Sequence, residues 1–193
     1  MEALIEQVPR INQESILEDD QLVTLCQQFD AVAQKALYDK YATVMLRTCQ
    51  RYLPDFMEAE DAMTEGFIKA LSKIDKFEYR GKGSLSGWIK RIMVNECLML
   101  LRKKKYDNLD LSAIRDLASL DTNIESQLVE EVILKQITQL PKGYRTIFNM
   151  YVIEGYSHRE IGQRLNISEN TSKSQLSKAR ASLAKSLKSL DIL

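Results

Sequence analysis

The stretch SHREIGQRLNISENTSKSQLSKARASL, residues 157–183, decides how the whole chain is read. Ser157 and Glu160 stand three apart ahead of the inward pair Ile161 and Leu165, which is the signature of a capping box opening a helix. Asn166 tolerates the left-handed turn conformation, and Ser168 is placed to cap a second helix. Helix, short turn, helix is the arrangement that seats its second helix in the DNA major groove. That helix offers Thr171, Ser172, Lys173, Gln175, Lys178 and Arg180, and residues 173–188 hold five cations and no acid. Short polar groups near its start reach base edges, while Lys178, Arg180 and Lys185 are placed for phosphates. Ser157 and Arg159, at the start of the preceding helix, complete this DNA-facing set. An ordinary helical hairpin with a solvated basic face would share the charge but has no need of the capping box, the turn and the one-sidedness together. His158, the sole histidine, reads as solvent-facing.

Working outward, only 7 glycines and 3 prolines interrupt 193 residues, and helical periodicity runs through nearly all of them, so the fold class is all-α. A first helix is expected over about 20–30 and a second up to about 53, with Ala33, Leu37, Tyr41, Val44, Met45, Thr48 and Tyr52 on its buried stripe and Pro54 beyond its end. A third, about 57–74, turns Ala59, Ala62, Met63, Phe67, Ala70, Leu71 and Ile74 inward and carries acids in its first turns, where the helix dipole favours them. DKFEYRGKGS, 75–84, breaks the pattern as a loop. Its GKGS looks like a phosphate-binding loop, but Lys76 stands where the leading glycine belongs and no strand precedes it, so nucleotide binding is excluded. After Tyr106 the pattern lapses through an acidic, Ser/Asp-rich segment and resumes at Ile124; Pro141 then starts a helix with Tyr144, Ile147, Phe148 and Tyr151 inside, closed by Gly155.

SLSGWIKRIMVNECLMLLRKKK, 84–105, combines the only tryptophan, an asparagine amid apolar residues and four terminal cations. With Ser84 as its cap, the inward stripe is Leu85, Trp88 or Ile89, Ile92, Met93, Leu98 and Leu101, and Trp88, Arg91, Asn95 and Arg102 drift along a neighbouring side. Beside a loop holding Phe77, Tyr79, Arg80 and Lys82, that side suits single-stranded or locally opened nucleic acid. Aromatic faces stack unpaired bases at about 1–3 kcal/mol each, and cations track phosphates.

Charge is segregated although it sums to zero. Residues 1–65 hold 5 basic and 13 acidic side chains, 66–106 hold 11 and 3, 107–131 hold 1 and 7, and 132–193 hold 10 and 4. Such blocks suggest two surfaces for polyanions, with acidic surfaces turned to something else. Cys26, Cys49 and Cys97 are odd in number and widely separated, which fits buried reduced thiols rather than a disulfide framework or zinc site. No apolar run approaches the roughly 18 residues that cross a bilayer, and the acidic start lacks the form of a secretory leader, so a cytoplasmic protein without membrane insertion is expected. One histidine, no metal spacing and no nucleophile in context leave no enzyme and no cofactor to expect.

Taken together, AEDAMTEGFIKAL (59–71), GSLSGWIKRIMVNECLMLLRKKK (83–105) and LPKGYRTIFNMYVIEGYSHREIGQRLNISENTSKSQLSKAR (140–180) resemble the extracytoplasmic-function subgroup of bacterial RNA polymerase sigma factors, over about residues 20–187. The resemblance implies two small helical domains joined by a flexible acidic linker: an extension 1–19, domain 2 over 20–106, the linker 107–123, and domain 4 over 124–193 with its helix-turn-helix. It implies binding of core RNA polymerase and promoter DNA, recognition of −10 and −35 elements, and promoter opening. In the −10 region the residues implied are Phe77, Tyr79, Arg80, Lys82, Trp88, Lys90, Arg91, Asn95, Arg102 and Lys103; Asp61, Glu65 and Phe67 are implied for the polymerase clamp. It also implies an anti-sigma partner, and a linker whose acids mimic nucleic acid in the polymerase's RNA path. The family usually shows Thr-Val-Lys-Ser-Arg-Leu along the recognition helix, where this chain has Ser172 and Gln175 in place of the valine and arginine, although Gln175 suits adenine. The competing reading is a conventional helix-turn-helix regulator that binds duplex DNA without being a polymerase subunit; it leaves the Trp88 side and the acidic helix unused.

Overall fold

A computed structural model describes residues 17–107, 126–188 and 190. All regular structure among the described residues is helical: α1 (Asp19–Gln27), α2 (Ala31–Tyr52), α3 (Phe56–Leu71), a 3-10 turn (Ile74–Lys76), α4 (Ser84–Asp107), α5 (Ser126–Gln139), α6 (Lys142–Phe148) running into a π turn (Asn149–Ile153), α7 (His158–Leu165) and α8 (Glu169–Lys188). The extension before residue 17 and the acidic linker beyond residue 107 lie outside the described residues.

Local chemistry sets most helix starts. Asp30 accepts from the Ala33 amide at 2.8 Å and Asp55 from the Glu58 amide at 3.2 Å, each satisfying an orphan donor of the first turn. The capping box forms as expected: Glu160 N–H donates to Ser157 Oγ at 3.2 Å and Ser157 N–H to Glu160 Oε2 at 2.8 Å. Asn166 takes φ +53° in the turn, and Ser168 Oγ accepts from the Thr171 amide at 3.0 Å. Ser84 departs from expectation. It occupies the first position of α4, and its hydroxyl is spent on the loop, accepting from the Arg80 amide at 3.1 Å and donating to Gly81 O at 2.7 Å.

α2, α3 and α4 pack as a three-helix unit with α1 laid against α2. Their core holds Leu37, Met45, Tyr52, Ala59, Met63, Phe67, Leu85, Ile89 and Met93, as spacing predicts, whereas Val44, expected on the buried stripe of α2, is 57% exposed one position before Met45. Gly66 lets α3 and α4 approach, since a β-carbon there would stand 2.2 Å from Met93 Sδ. Cys26, Cys49 and Cys97 are free and buried; burial, with Asp30 nearby, pushes the Cys26 thiol up to about 11. In the second half, α7 and α6 pack on α8, and Arg145 is buried, closing α5 by donating to Thr138 O at 2.6 Å and Leu140 O at 3.1 Å. The two halves are in contact: Ile147, Met150, Ile161 and Leu176 belong to the same continuous core as Tyr52, Val94, Leu98 and Leu101.

Candidate nucleic-acid interface

Two left-handed glycines, Gly81 at φ +100° and Gly83 at φ +85°, bring the loop after the 3-10 turn back onto α4. Gln27 pins the loop's base by donating to Ile74 O at 3.0 Å and Phe77 O at 2.9 Å. The result is an open concavity whose lining includes Lys76, Phe77, Glu78, Arg80, Trp88 and Arg91. Phe77 and Trp88 pack against each other at 4.7 Å between ring centroids and 35° between planes, and both line the concavity with Arg91 and with Arg80, which is paired to Glu78 at 3.0 Å. An aromatic face beside cations is what an unstacked base on a phosphate backbone requires.

The other expected members of this set lie elsewhere. Lys82 and Lys103 are exposed. Tyr79 faces the acidic start of α1: partial desolvation first, then Asp19, Asp20 and Glu18, hold its hydroxyl above the usual tyrosine range. Lys90, Asn95 and Arg102 are engaged by the second half of the chain. Lys90 Nζ is 2.8 Å from Glu154 Oε2, Asn95 Oδ1 accepts from Arg164 Nη1 at 3.1 Å, and Arg102 donates to the Arg164 carbonyl. The charge block alone gave no sign of these pairings, because each partner lies more than 60 residues away.

In the helix-turn-helix, Arg159, Lys173, Lys178 and Arg180 are exposed, with Lys173 paired to Glu169 at 2.8 Å within the same helix. Thr171 is half-buried, its hydroxyl 2.8 Å from that of Ser168. Ser157 is spent in the capping box. Ser172 corrects the expectation of a groove-facing residue: it is 0% exposed, with its hydroxyl 2.9 Å from His158 Nδ1. Burial removes it from any groove, and its position matches Leu176, Ala179 and Leu183 on the inward stripe. His158 is likewise not free in solvent, since its ring stacks on Tyr151 at 4.3 Å and 22°. Gln175 is half-buried against α6, its amide so close to Gly143 that a β-carbon there would stand 2.8 Å from Gln175 Oε1 and make the side chain shift.

On α3, Asp61 and Glu65 are exposed on one face, whereas Phe67 is 3% exposed and packs its ring 4.8 Å from Tyr38. Phe67 is therefore core, and the expectation that it meets a partner is corrected. The apolar member of the acidic face is Ile68, 56% exposed, which the 61-65-68 spacing signals and the sequence reading passed over. No described helix is long and apolar enough to cross a membrane, and no cluster of potential metal ligands occurs among the described residues.

Two family models match the chain: Sigma-70 region 2 over residues 37–106 and Sigma-70, region 4 over residues 130–183. The chain is similar to the ECF RNA polymerase sigma factor SigW of Bacillus subtilis, 30% identical over 167 residues that cover 80% of this chain and 88% of the relative. It is also similar to the RNA polymerase sigma-H factor of Pseudomonas aeruginosa, 27% identical over 186 residues covering 90% and 95%. The solved complex of CnrH with the cytosolic domain of CnrY aligns with TM-score 0.48 and 18% identity over 87% of this chain and 96% of that one.

Proposed function

The chain belongs to the ECF RNA polymerase sigma factors, and on that premise we propose how its residues divide the work of a sigma subunit acting with core polymerase at promoters. Domain 2, taken as residues 20–106, captures a flipped −10 base on Phe77 and Trp88, while Arg80, Lys82 and Arg91 hold the flanking phosphates and Lys90, Asn95, Arg102 and Lys103 hold the duplex edge. Capture of an unstacked base favours the open strand over the duplex, so binding energy itself drives melting. Domain 4, taken as 124–193, lays α8 at the −35 element, with Thr171, Gln175 and Arg159 toward bases and Lys173, Lys178 and Arg180 toward phosphates. Asp61, Glu65 and Ile68 form the clamp-facing patch, where acidic charge favours encounter rate and register. The acids of residues 107–123 occupy the polymerase's RNA path. The chain supplies no covalent chemistry, works in the cytoplasm with the polymerase, and takes an anti-sigma factor as a third partner, as the family implies.

The observation that carries this reading is the concavity that holds the Phe77–Trp88 pair beside Lys76, Arg80 and Arg91, in a chain that also holds a basic helix-turn-helix. The test is transcription from a promoter library by core polymerase, with and without the chain, with the starts sequenced. Starts that need the chain and share two spaced upstream motifs are expected. Absence of new starts, alongside salt-sensitive duplex binding by the chain alone, overturns it.

A further inference from the structure

Beyond Trp88, the outward side of α4 carries one exposed apolar side chain among polar ones. Among the described residues of this helix Met99 is the large hydrophobic in the open, 49% exposed, while Leu98, Leu100 and Leu101 around it pack inward. At 3.6 residues per turn it stands about 20° around the helix from Trp88, about 40° from Asn95 and about 60° from Arg102. It shares its side of the helix with the exposed Arg91, Asn95 and Arg102, and the exposed Lys103 follows one turn on. Arg164 of α7 bonds Asn95 and receives Arg102, yet Met99 between them keeps half its surface in water.

Met99 and its neighbours suit different partners. Arg91, Arg102 and Lys103 match phosphates, and Asn95 brings an amide for a base edge. The thioether has no hydrogen to donate and accepts only weakly. Set against a phosphate or a polar base edge, it would strip water from that group and offer nothing in return. The major groove presents one apolar group, the C5 methyl of thymine. An unbranched, polarizable side chain adapts its shape to such a methyl. Asn95 and Met99 are one turn apart, about 6 Å along the axis or about two base-pair steps of 3.4 Å, so they are spaced for different base pairs.

We propose that Met99 is a specificity residue of the duplex edge: it contacts a thymine methyl in the major groove and selects thymine at that position. The inference rests on the reading above that α4 lies along the −10 duplex edge, and it adds a base-selecting contact that the flanking cations cannot supply. Burial of one methyl group corresponds to about a fourfold change in affinity.

The test uses the holoenzyme of core polymerase and the full chain on a promoter found in the library experiment. Each base pair of the duplex edge is set in turn to A·T and to T·A, and each form is made with thymine or with deoxyuridine, which removes the C5 methyl alone. With the unmutated chain, deoxyuridine at one position should weaken binding about fourfold. Met99→Ala should bind the thymine form about fourfold more weakly and make no distinction at that position. Met99→Leu keeps an apolar side chain and should keep the distinction; the half-exposed site accepts either change without disturbing the core. Equal effects of deoxyuridine on the unmutated chain and on Met99→Ala overturn the proposal, as does the lack of any effect along the edge. If no start depends on the chain, the same comparison is made on the duplex that the chain selects alone. A deoxyuridine effect abolished by Met99→Ala then keeps the methyl contact and removes the sigma reading, whereas no such effect removes both.

Discussion

Trp88 shows how one side chain serves both the fold and the site. Half of it leans on the core and the rest lines the concavity with Phe77. Trp88→Ala is expected to lose about 1–3 kcal/mol of affinity for single-stranded DNA per stacked base, while Trp88→Tyr keeps most of it. Titration of each variant with fork-junction DNA, at temperatures where circular dichroism shows intact helices, measures this; equal affinity for both variants refutes the stacking role. A second contrast lies along α8. Lys178→Ala and Arg180→Ala should each flatten the dependence of log K on log salt by about 0.9 in duplex binding, the signature of one phosphate contact. Ser172→Ala should leave that slope alone and lower stability by about 1 kcal/mol, because it strands His158 Nδ1 in a half-buried site. The inward stripe 172-176-179-183 is plain helical arithmetic, so Ser172 was legible as core; the DNA-facing reading took it instead as a short polar group near the helix start. Phe67 repeats the lesson on α3, where the periodic stripe outranked the motif.

Helices were legible because their determinants are local. Apolar spacing and the caps at Asp30, Asp55, Ser157 and Ser168 are carried within a few residues of each helix start. Ser84 misled because a hydroxyl at a helix start can serve the preceding loop as well as the helix, and the choice depends on the left-handed glycines beside it. The capping box of α7 carries a pH dependence of definite sign. Hydrogen bonds from the Ser157 backbone and then its side chain hold the Glu160 carboxyl below the usual glutamate range. A depressed folded-state pKa gives stability that is present above the unfolded value and lost as pH falls through the folded one. Acidification through and below the ordinary carboxylate range should therefore loosen the start of α7, seen as amide exchange at Glu160 and Ile161. Glu160→Gln should flatten that dependence while keeping the neutral hydrogen bonds; an unchanged pH profile in the variant counts against the assignment. Arg145, Lys90 and Glu154 were not legible, since their partners come from other helices and a charge count treats a buried cation like an exposed one.

Across the whole molecule, charge is sorted by segment rather than balanced locally, and the fold then spends part of the basic blocks on itself. Arg51 and Lys90 share Glu154, and Lys69 pairs with the buried Glu96 across α3 and α4. What remains exposed among the described residues is the loop rim and Lys103 before the acidic stretch, and the outer face of α8 after it. An acidic segment between two DNA-binding halves, as proposed above, would repel the promoter if it lay along it, and the proposal gives its charge another surface. A positive RNA path in the polymerase is such a surface, and a strand-like run of acids would hold it until a transcript of like charge competes. Replacing Asp107, Asp110, Asp116 and Asp121 by Asn removes that competition without touching either DNA-binding half. Promoter affinity and open-complex formation should then stay within about twofold, as expected of changes away from the contacts, while the ratio of short abortive products to full-length transcripts shifts. Gel analysis of initiation products at a fixed promoter reads both quantities in one experiment. An unaltered product ratio would reduce the segment to a tether, whereas a loss of promoter affinity would place its acids in the arrangement of the two halves rather than in the RNA path.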